Sequence, residues 1–395
     1  MKRICYSIGL TGAAAALLFS RCPAYVLHPQ FHSEDGAIFF VQAFKDGTDS
    51  VFYLFAGYLH LVPRLVALAA RPLPLEWLPS AYLWATILCT LYVFSRVLVA
   101  RVPRVAAVTS AFALVLVPHG GEIWCSLCML HFILGALVVI NLLEPAPETR
   151  AESWRRGIEI AVAALSGPQV LILSPLLVAW SWRHRANQSA ARMIVVGLAA
   201  ATVQFSVMAF NPRPTNCSGV FSSAGAAIAG YSQSLFAGAV GGEIGKLAIT
   251  PQLVVGVSCL FLILLVLSDR TNRFRGIALA LFAVAAALLV TGKIGGISTH
   301  HLWPVPIGSG ARYAYLPFVL AVWGMAWLLA GAQRRLMVAA AVILLLLVPL
   351  STAHHWVAPT PTDYHWTQQV REYRAGHRVW FASPPPGWRF NIQPD

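Results

Sequence analysis

Charge is what this 395-residue chain has least of: only 11% of its residues are Asp, Glu, Lys or Arg, where soluble domains carry about 25%. Acids are scarcer than bases, 15 against 28. With 58% hydrophobic residues and a mean hydropathy of +0.67, a water-soluble globule of this length would lack the polar surface to cover itself. Helix-turn-helix, zinc-finger and RNA-binding signatures are also missing, so the net charge of +13 does not point to nucleic acid as a partner. No second C-x-x-C accompanies Cys125-Ser126-Leu127-Cys128, which disfavours a zinc or thioredoxin-like centre. Tandem repeats and inverted halves are absent too, and that counts against the commonest transporter folds.

What the chain has in quantity is apolar runs of membrane-spanning length, each needing about 20 residues. The first, residues 4–20, follows Lys2 and Arg3 like a signal peptide. Ser20-Arg21-Cys22-Pro23 is a poor small-residue cleavage site, so the run reads as an uncleaved first helix. Further spans are expected at 76–100, 105–117, 123–143, 193–210, 247–267, 276–290, 313–329 and 336–350. A pair of short helices, 157–165 and 169–182, is expected around the Ser166-Gly167-Pro168 break. Residues 51–70 are apolar but contain His60, Pro63 and Arg64, so they read as an amphipathic helix at the interface.

Basic residues gather in the short gaps: Arg96-Arg101-Arg104, Arg155-Arg156, Arg183-His184-Arg185, Arg270-Arg273-Arg275 and Arg334-Arg335. That is the positive-inside pattern. The expected fold class is all-α, a polytopic transmembrane helical bundle of about eleven spans, with the N-terminus cytoplasmic and the C-terminus extracytoplasmic. Residues 1–350 form one transmembrane module, with 22–75 as its first external loop, and 351–395 are a short extracytoplasmic tail. The tail reads as a short helix, a turn and an extended end docked on the external loops.

Of the seven cysteines, Cys5, Cys89 and Cys259 sit in apolar runs and read as packing residues. Cys22, Cys125, Cys128 and Cys217 fall at or beyond the external face, where disulfides are allowed. A bond from the Cys125/Cys128 pair to Cys217 or Cys22, and plain packing thiols, both remain open.

Polar residues collect on that same side: Glu34, Asp35, His60, Arg64, His119, Glu122, Arg213, Lys293, His300, His301 and Arg312. Ionisable groups near membrane depth are costly and usually face a cavity, so any chemistry belongs to the outer side. His32-Ser33-Glu34-Asp35-Gly36 is the most informative stretch. A carboxylate held there can deprotonate an acceptor hydroxyl or hold a divalent metal. The same residues also read as a helix start, with Ser33 as cap and acids in the first turn.

An acidic pair in the first external loop, after a single N-terminal helix and ahead of the amphipathic stretches 37–44 and 51–70, resembles the GT-C superfamily of membrane glycosyltransferases. Gly310-Ala311-Arg312-Tyr313, with Pro317, is similar to an arginine–tyrosine element of bacterial members. The resemblance implies sugar transfer from a polyprenyl-phosphate donor to a cell-envelope glycan or lipid acceptor. The enzyme would lie in the bacterial inner (plasma) membrane with its site facing the periplasm. Carried over, Asp35 is the candidate base and Glu34 the next. Arg312, Lys293 and Arg64 are candidates to hold the phosphate, because arginine forks match its oxygens. Tyr313 and His60 join them as substrate-binding candidates. Glu122 reads as a second acid or a partner of its own helix N-terminus, and His300-His301 as a substrate contact or an interfacial pair. No cofactor is implied beyond the divalent metal. A multi-span transporter or lipid flippase, and a non-catalytic envelope polysaccharide assembly protein, are the competing classes.

Overall fold

A backbone surrounded by apolar side chains must satisfy its own hydrogen bonds, and helices do so within one segment. The computed structural model is accordingly helical nearly throughout. It describes residues 2–117, 119, 121–211, 271–296, 312–332, 338, 342, 356–358, 360–377 and 380–392. The expected spans at 247–267 and 336–350, the loop with Arg213 and Cys217, Cys259, and His300-His301 lie outside the described residues or almost entirely so.

In chain order the helices are α1 (Lys2–Arg21), α2 (Pro23–Leu27), α3 (Val41–Asp46), α4 (Leu61–Ala70), α5 (Leu78–Leu98), α6 (Arg104–Leu116), α7 (Glu122–Cys125), α8 (Leu130–Leu143), α9 (Arg150–Ser166), α10 (Gln169–Arg183), α11 (Gln188–Phe210), α12 (Arg275–Gly296), α13 (Arg312–Gly331) and α14 (Trp366–Arg374). A hairpin of β1 (Trp380–Ser383) and β2 (Trp388–Asn391) follows, paired antiparallel with Trp380 opposite Asn391. Helix α12 lies along α13, α9 along α11, and α13 against α6 and α8.

Among the described residues two helical stretches are long and apolar enough to cross a membrane, Leu75–Leu98 and Gln188–Phe210. Both leave large apolar side chains uncovered: Leu88 on the first, and Val195, Phe205 and Phe210 on the second. The core helix of a water-soluble protein would bury such a face. Residues 51–70 do not form one helix. A 3₁₀ turn (Gly47–Phe52) and an isolated bridge between Phe55 and Tyr58 precede α4. Ten residues of α-helix extend about 15 Å, half of a hydrocarbon core of about 30 Å.

Two expected elements come out differently. The expected helix at 123–143 is broken: α7 ends at Cys125, Ser126 is extended, and a 3₁₀ turn (Leu127–Met129) leads into α8. The expected short helix at 157–165 begins seven residues earlier. Thr149 caps it by accepting the Glu152 backbone N–H at 3.1 Å, and the Glu152 side chain accepts the Glu148 N–H at 3.0 Å. This is close to a capping box, and its Thr-x-x-Glu signature lay inside what reads as a polar loop.

At the end of the bundle expected to be cytoplasmic, Arg96, Arg101, Arg155 and Arg156 are paired with carboxylates. Glu159 accepts from Arg96 (2.8 Å), Arg155 (2.6 Å), Tyr92 (2.6 Å) and Asn141 (2.8 Å). Glu144 takes the other arm of Arg96 at 3.2 Å, and Arg156 is wholly buried beside it. These contacts tie α5, α8 and α9 together.

Candidate active site

The acidic segment begins with a strained residue. Ser33 has φ +42°, a region that non-glycine residues seldom occupy. Its N–H donates to the Pro384 carbonyl at 2.7 Å, so the hairpin of the tail fixes the turn. A π-helical turn, Asp35–Phe40, follows and runs into α3. Gly36 is required there: a Cβ would stand 2.7 Å from the Phe390 ring and 2.9 Å from Phe31. Phe31 packs edge-on to Tyr82 and Trp366 and lies nearly parallel to Phe40. Gln30 also holds the tail, donating to the Thr362 carbonyl and accepting the Tyr364 N–H.

This turn points the two neighbouring carboxylates in different directions. Asp35 goes inward and is 2% exposed. Its Oδ2 accepts the backbone N–H of Leu127 at 2.8 Å, and its Oδ1 that of Cys128 at 2.8 Å, with the Ser126 hydroxyl at 3.3 Å. Asp35 therefore caps the start of the segment leading into α8, across the break after α7. The helix-cap chemistry expected for this segment is present, but on a helix far along the chain rather than on its own. Burial lifts the Asp35 carboxyl to about 7, against the lowering effect of these donors.

Glu34 goes the other way. Its Oε2 is shielded from solvent and has no hydrogen-bond partner among the described residues. Burial raises its carboxyl above the usual range, opposed by the field of Arg312 and reinforced by that of Glu122. Those two residues form an ion pair, Arg312 Nη1 to Glu122 Oε1 at 2.7 Å, with side chains 30% and 20% exposed. His32 stands in the field of the same pair, with its Nδ1 3.0 Å from the Ser33 hydroxyl, and burial holds its imidazole below the ordinary value. His32 and Glu34 thus lie in the field of the half-open Glu122–Arg312 pair.

Glu122 reaches Arg312 because Gly121 turns the chain with φ +93° into α7. Arg312 is the first residue of α13, and its neighbour Tyr313 packs edge-on against Phe132 of α8.

The other expected site residues are deeper or elsewhere. Arg64, expected to hold phosphate, is fully buried; it donates to Gln42 at 2.5 Å and lies over the Phe39 ring, 4.8 Å from its centroid. Burial lowers its pKa to about 10. His60 is fully buried among Phe39, Phe55, Tyr58 and His131. Burial pushes its imidazole far below the ordinary value, which keeps it neutral. Lys293 lies on the backbone of α12, and His300-His301 fall outside the described residues. Among the described residues no group of three His, Cys, Asp or Glu side chains is placed to hold a metal ion.

Arg21 is a residue whose role the sequence conceals. It is 1% exposed and donates to the carbonyls of Val115 (2.7 Å), Val117 (2.9 Å) and His119 (3.0 Å). Its guanidinium thereby closes the C-terminal end of α6. The same group lies 4.3 Å from the centroid of the Trp124 ring. The sequence shows Arg21 only as part of a poor cleavage site, and the fold turns it inward.

No family model matches the chain, and no curated protein matches it. Among solved structures, it is similar to the crystal structure of the Archaeoglobus fulgidus oligosaccharyltransferase, a complex with Zn and sulfate. The similarity has a TM-score of 0.44 at 14% identity and covers 96% of this chain. The chain spans 58% of that protein's length. A likeness this low assigns no residue and no activity to the present chain.

Proposed function

We propose that the chain is a membrane glycosyltransferase of the GT-C kind, moving a sugar from a polyprenyl-phosphate donor to a cell-envelope glycan or lipid acceptor at the extracytoplasmic face. The observation that carries the reading is the Glu34 carboxylate. One of its oxygens has no partner among the described residues, and it stands in the field of the half-open Glu122–Arg312 pair. Glycosyl transfer from a lipid phosphate needs a base on the acceptor hydroxyl and a cation at the departing phosphate. Glu34, in the field of Arg312, and Arg312 itself would supply those two charges.

In this scheme Glu34 takes the proton of the acceptor hydroxyl as its oxygen bonds to the anomeric carbon. The bond from that carbon to the phosphate oxygen breaks, and the electron pair leaves with the phosphate. Arg312 meets the growing charge, and Glu122 holds the guanidinium in place until the donor enters. Asp35 takes a positioning role beneath them, fixing the turn that aims Glu34. Arg64 and His60 support the fold of the loop. The carboxylates gather no metal-ligand set among the described residues, and no step here runs through a metal.

The test is transfer by the purified protein in proteoliposomes supplied with a polyprenyl-phosphate sugar. Glu34→Gln is expected to lose transfer while retaining folding and membrane insertion. Undiminished transfer by that variant would overturn the role of Glu34. Movement of lipid or solute with no glycosidic bond formed would favour a transporter. Glu159 gives the transporter reading little support, because its carboxylate is already occupied by four donors.

A further inference from the structure

Cys22 and Cys125 are 103 positions apart, and neither carries any part of the scheme above. Cys22 directly follows α1, and Cys125 is the last residue of α7. Both are buried, at 3% and 6% exposure. Two contacts bring them together. The guanidinium of Arg21, adjacent to Cys22, lies over the ring of Trp124, adjacent to Cys125. A Cβ on Gly121 at the head of α7 would stand 3.4 Å from the Cys22 sulfur. Both are free thiols in this structure, and Cys22 is among the groups that raise the Cys125 thiol. Cys128, by contrast, turns its backbone N–H to Asp35, and its thiol lies in the field of Glu34 and Asp35.

We propose that Cys22 and Cys125 are the two halves of a disulfide closed in the extracytoplasmic compartment, and that it ties the end of α1 to the short helix carrying Glu122. The sequence left Cys22 and Cys217 open as partners and did not choose between Cys125 and Cys128. Among the described cysteines, the placement of Gly121 and of the Arg21–Trp124 contact pairs Cys22 with Cys125. The bond forms by exchange: one thiolate attacks the disulfide of a thiol oxidoreductase, giving a mixed disulfide and releasing one thiol. The second cysteine then displaces the remaining oxidoreductase sulfur. Two protons leave the pair, and its two electrons reduce the oxidoreductase disulfide to two thiols. Burial raises the Cys125 thiol in the folded protein, so exchange belongs to the stage before Cys125 is buried.

The proposal rests on the sidedness adopted under the proposed function, and its test separates the two. Full-length protein is taken from cells lysed in an alkylating agent, denatured without reductant, digested and read by mass spectrometry. The expected result is a peptide linking Cys22 to Cys125, lost on reduction, with Cys89 and Cys128 alkylated. Alkylation of both Cys22 and Cys125 before reduction, or linkage of either to another cysteine, overturns the proposal. A second arm refolds reduced protein with oxidised glutathione. A Cys22–Cys125 link formed there, but absent from cells, places the fault in the sidedness. Its absence from both places the fault in the pairing. Neither readout depends on sugar transfer.

Discussion

The carboxylate of Asp35 accepts the backbone N–H of Cys128 at 2.8 Å, joining positions 93 residues apart. The acidic segment and the start of α8 are therefore joined as one unit. A capping carboxylate normally serves the helix that follows it in sequence. Here it serves a distant one, and the freed partner, Glu34, is left in the field of the half-open Glu122–Arg312 pair.

Asp35→Ala leaves the N–H groups of Leu127 and Cys128 unpaired in a buried setting. A cost of about 1–3 kcal/mol is expected for each such loss. Thermal unfolding in detergent should show Asp35→Ala clearly below the parent and Asp35→Asn between them, since Asn keeps one acceptor oxygen. Equal melting of all three would remove Asp35 from its structural role.

Glu34→Gln should behave in the opposite manner. Its melting temperature is expected near that of the parent, while transfer falls by about 10²–10⁴-fold, the usual contribution of a general base. A loss of stability without a loss of turnover would reverse the roles given to the two acids.

The pH dependence follows from the raised carboxyls. Glu34 must be ionised to take a proton, so activity should rise with pH along a limb lying above the ordinary glutamate value of 4.5. Stability should move the other way. Asp35 goes from 3.8 to about 7 on folding, so between those values the folded state holds more proton than the unfolded one. The contribution of Asp35 to stability is then greatest below 3.8 and is lost as pH rises through about 7. Asp35→Asn should flatten that decline in unfolding experiments run across the range, and an unchanged slope would place its origin in another group.

Arg312→Lys keeps the charge but loses the fork. It is expected to retain more transfer than Arg312→Ala, with kcat affected more than KM. Glu122→Gln should weaken the effect of both changes, because it removes the ion pair they disturb. A double-mutant cycle on kcat/KM measures the coupling, and additive losses would show that the pair does not act as a unit.

Glu159→Gln tests the ion network at the opposite end. It leaves Arg96 buried with only part of its compensation, and breaking such pairs commonly costs about 3–5 kcal/mol. Melting should drop while transfer per folded molecule is unchanged. Substrate-dependent changes in that variant would instead point to a conduction path through α5, α8 and α9.

The acid segment and the polar residues between apolar runs, Glu122 and Arg312 among them, stand out in the sequence because each is a local departure from an apolar background. Positions of α5, α6 and α11 followed from run length and hydropathy in the same way. The break at Ser126 was not legible, since Cys125-Ser126-Leu127-Cys128 interrupts no apolar run and its cause, Asp35, lies 91 positions away. The different aims of Glu34 and Asp35 depend on one residue at φ +42° held by Pro384. Arg64 reads as a phosphate-holding candidate on an interfacial segment, whereas the fold closes Phe39 and Gln42 over it.

The bond from the Ser33 N–H to the Pro384 carbonyl, together with Phe390 seated against Gly36, has a consequence for the order of assembly. A ribosome makes the acidic turn early and its cover only some 350 residues later, an interval of roughly 20–70 s at about 5–20 residues per second. Throughout that time the turn lacks the contacts that hold its backbone, so Glu34 has no fixed aim. On the proposed scheme, catalytic competence is withheld until translation has delivered Pro384 and Phe390, the residues that complete the turn.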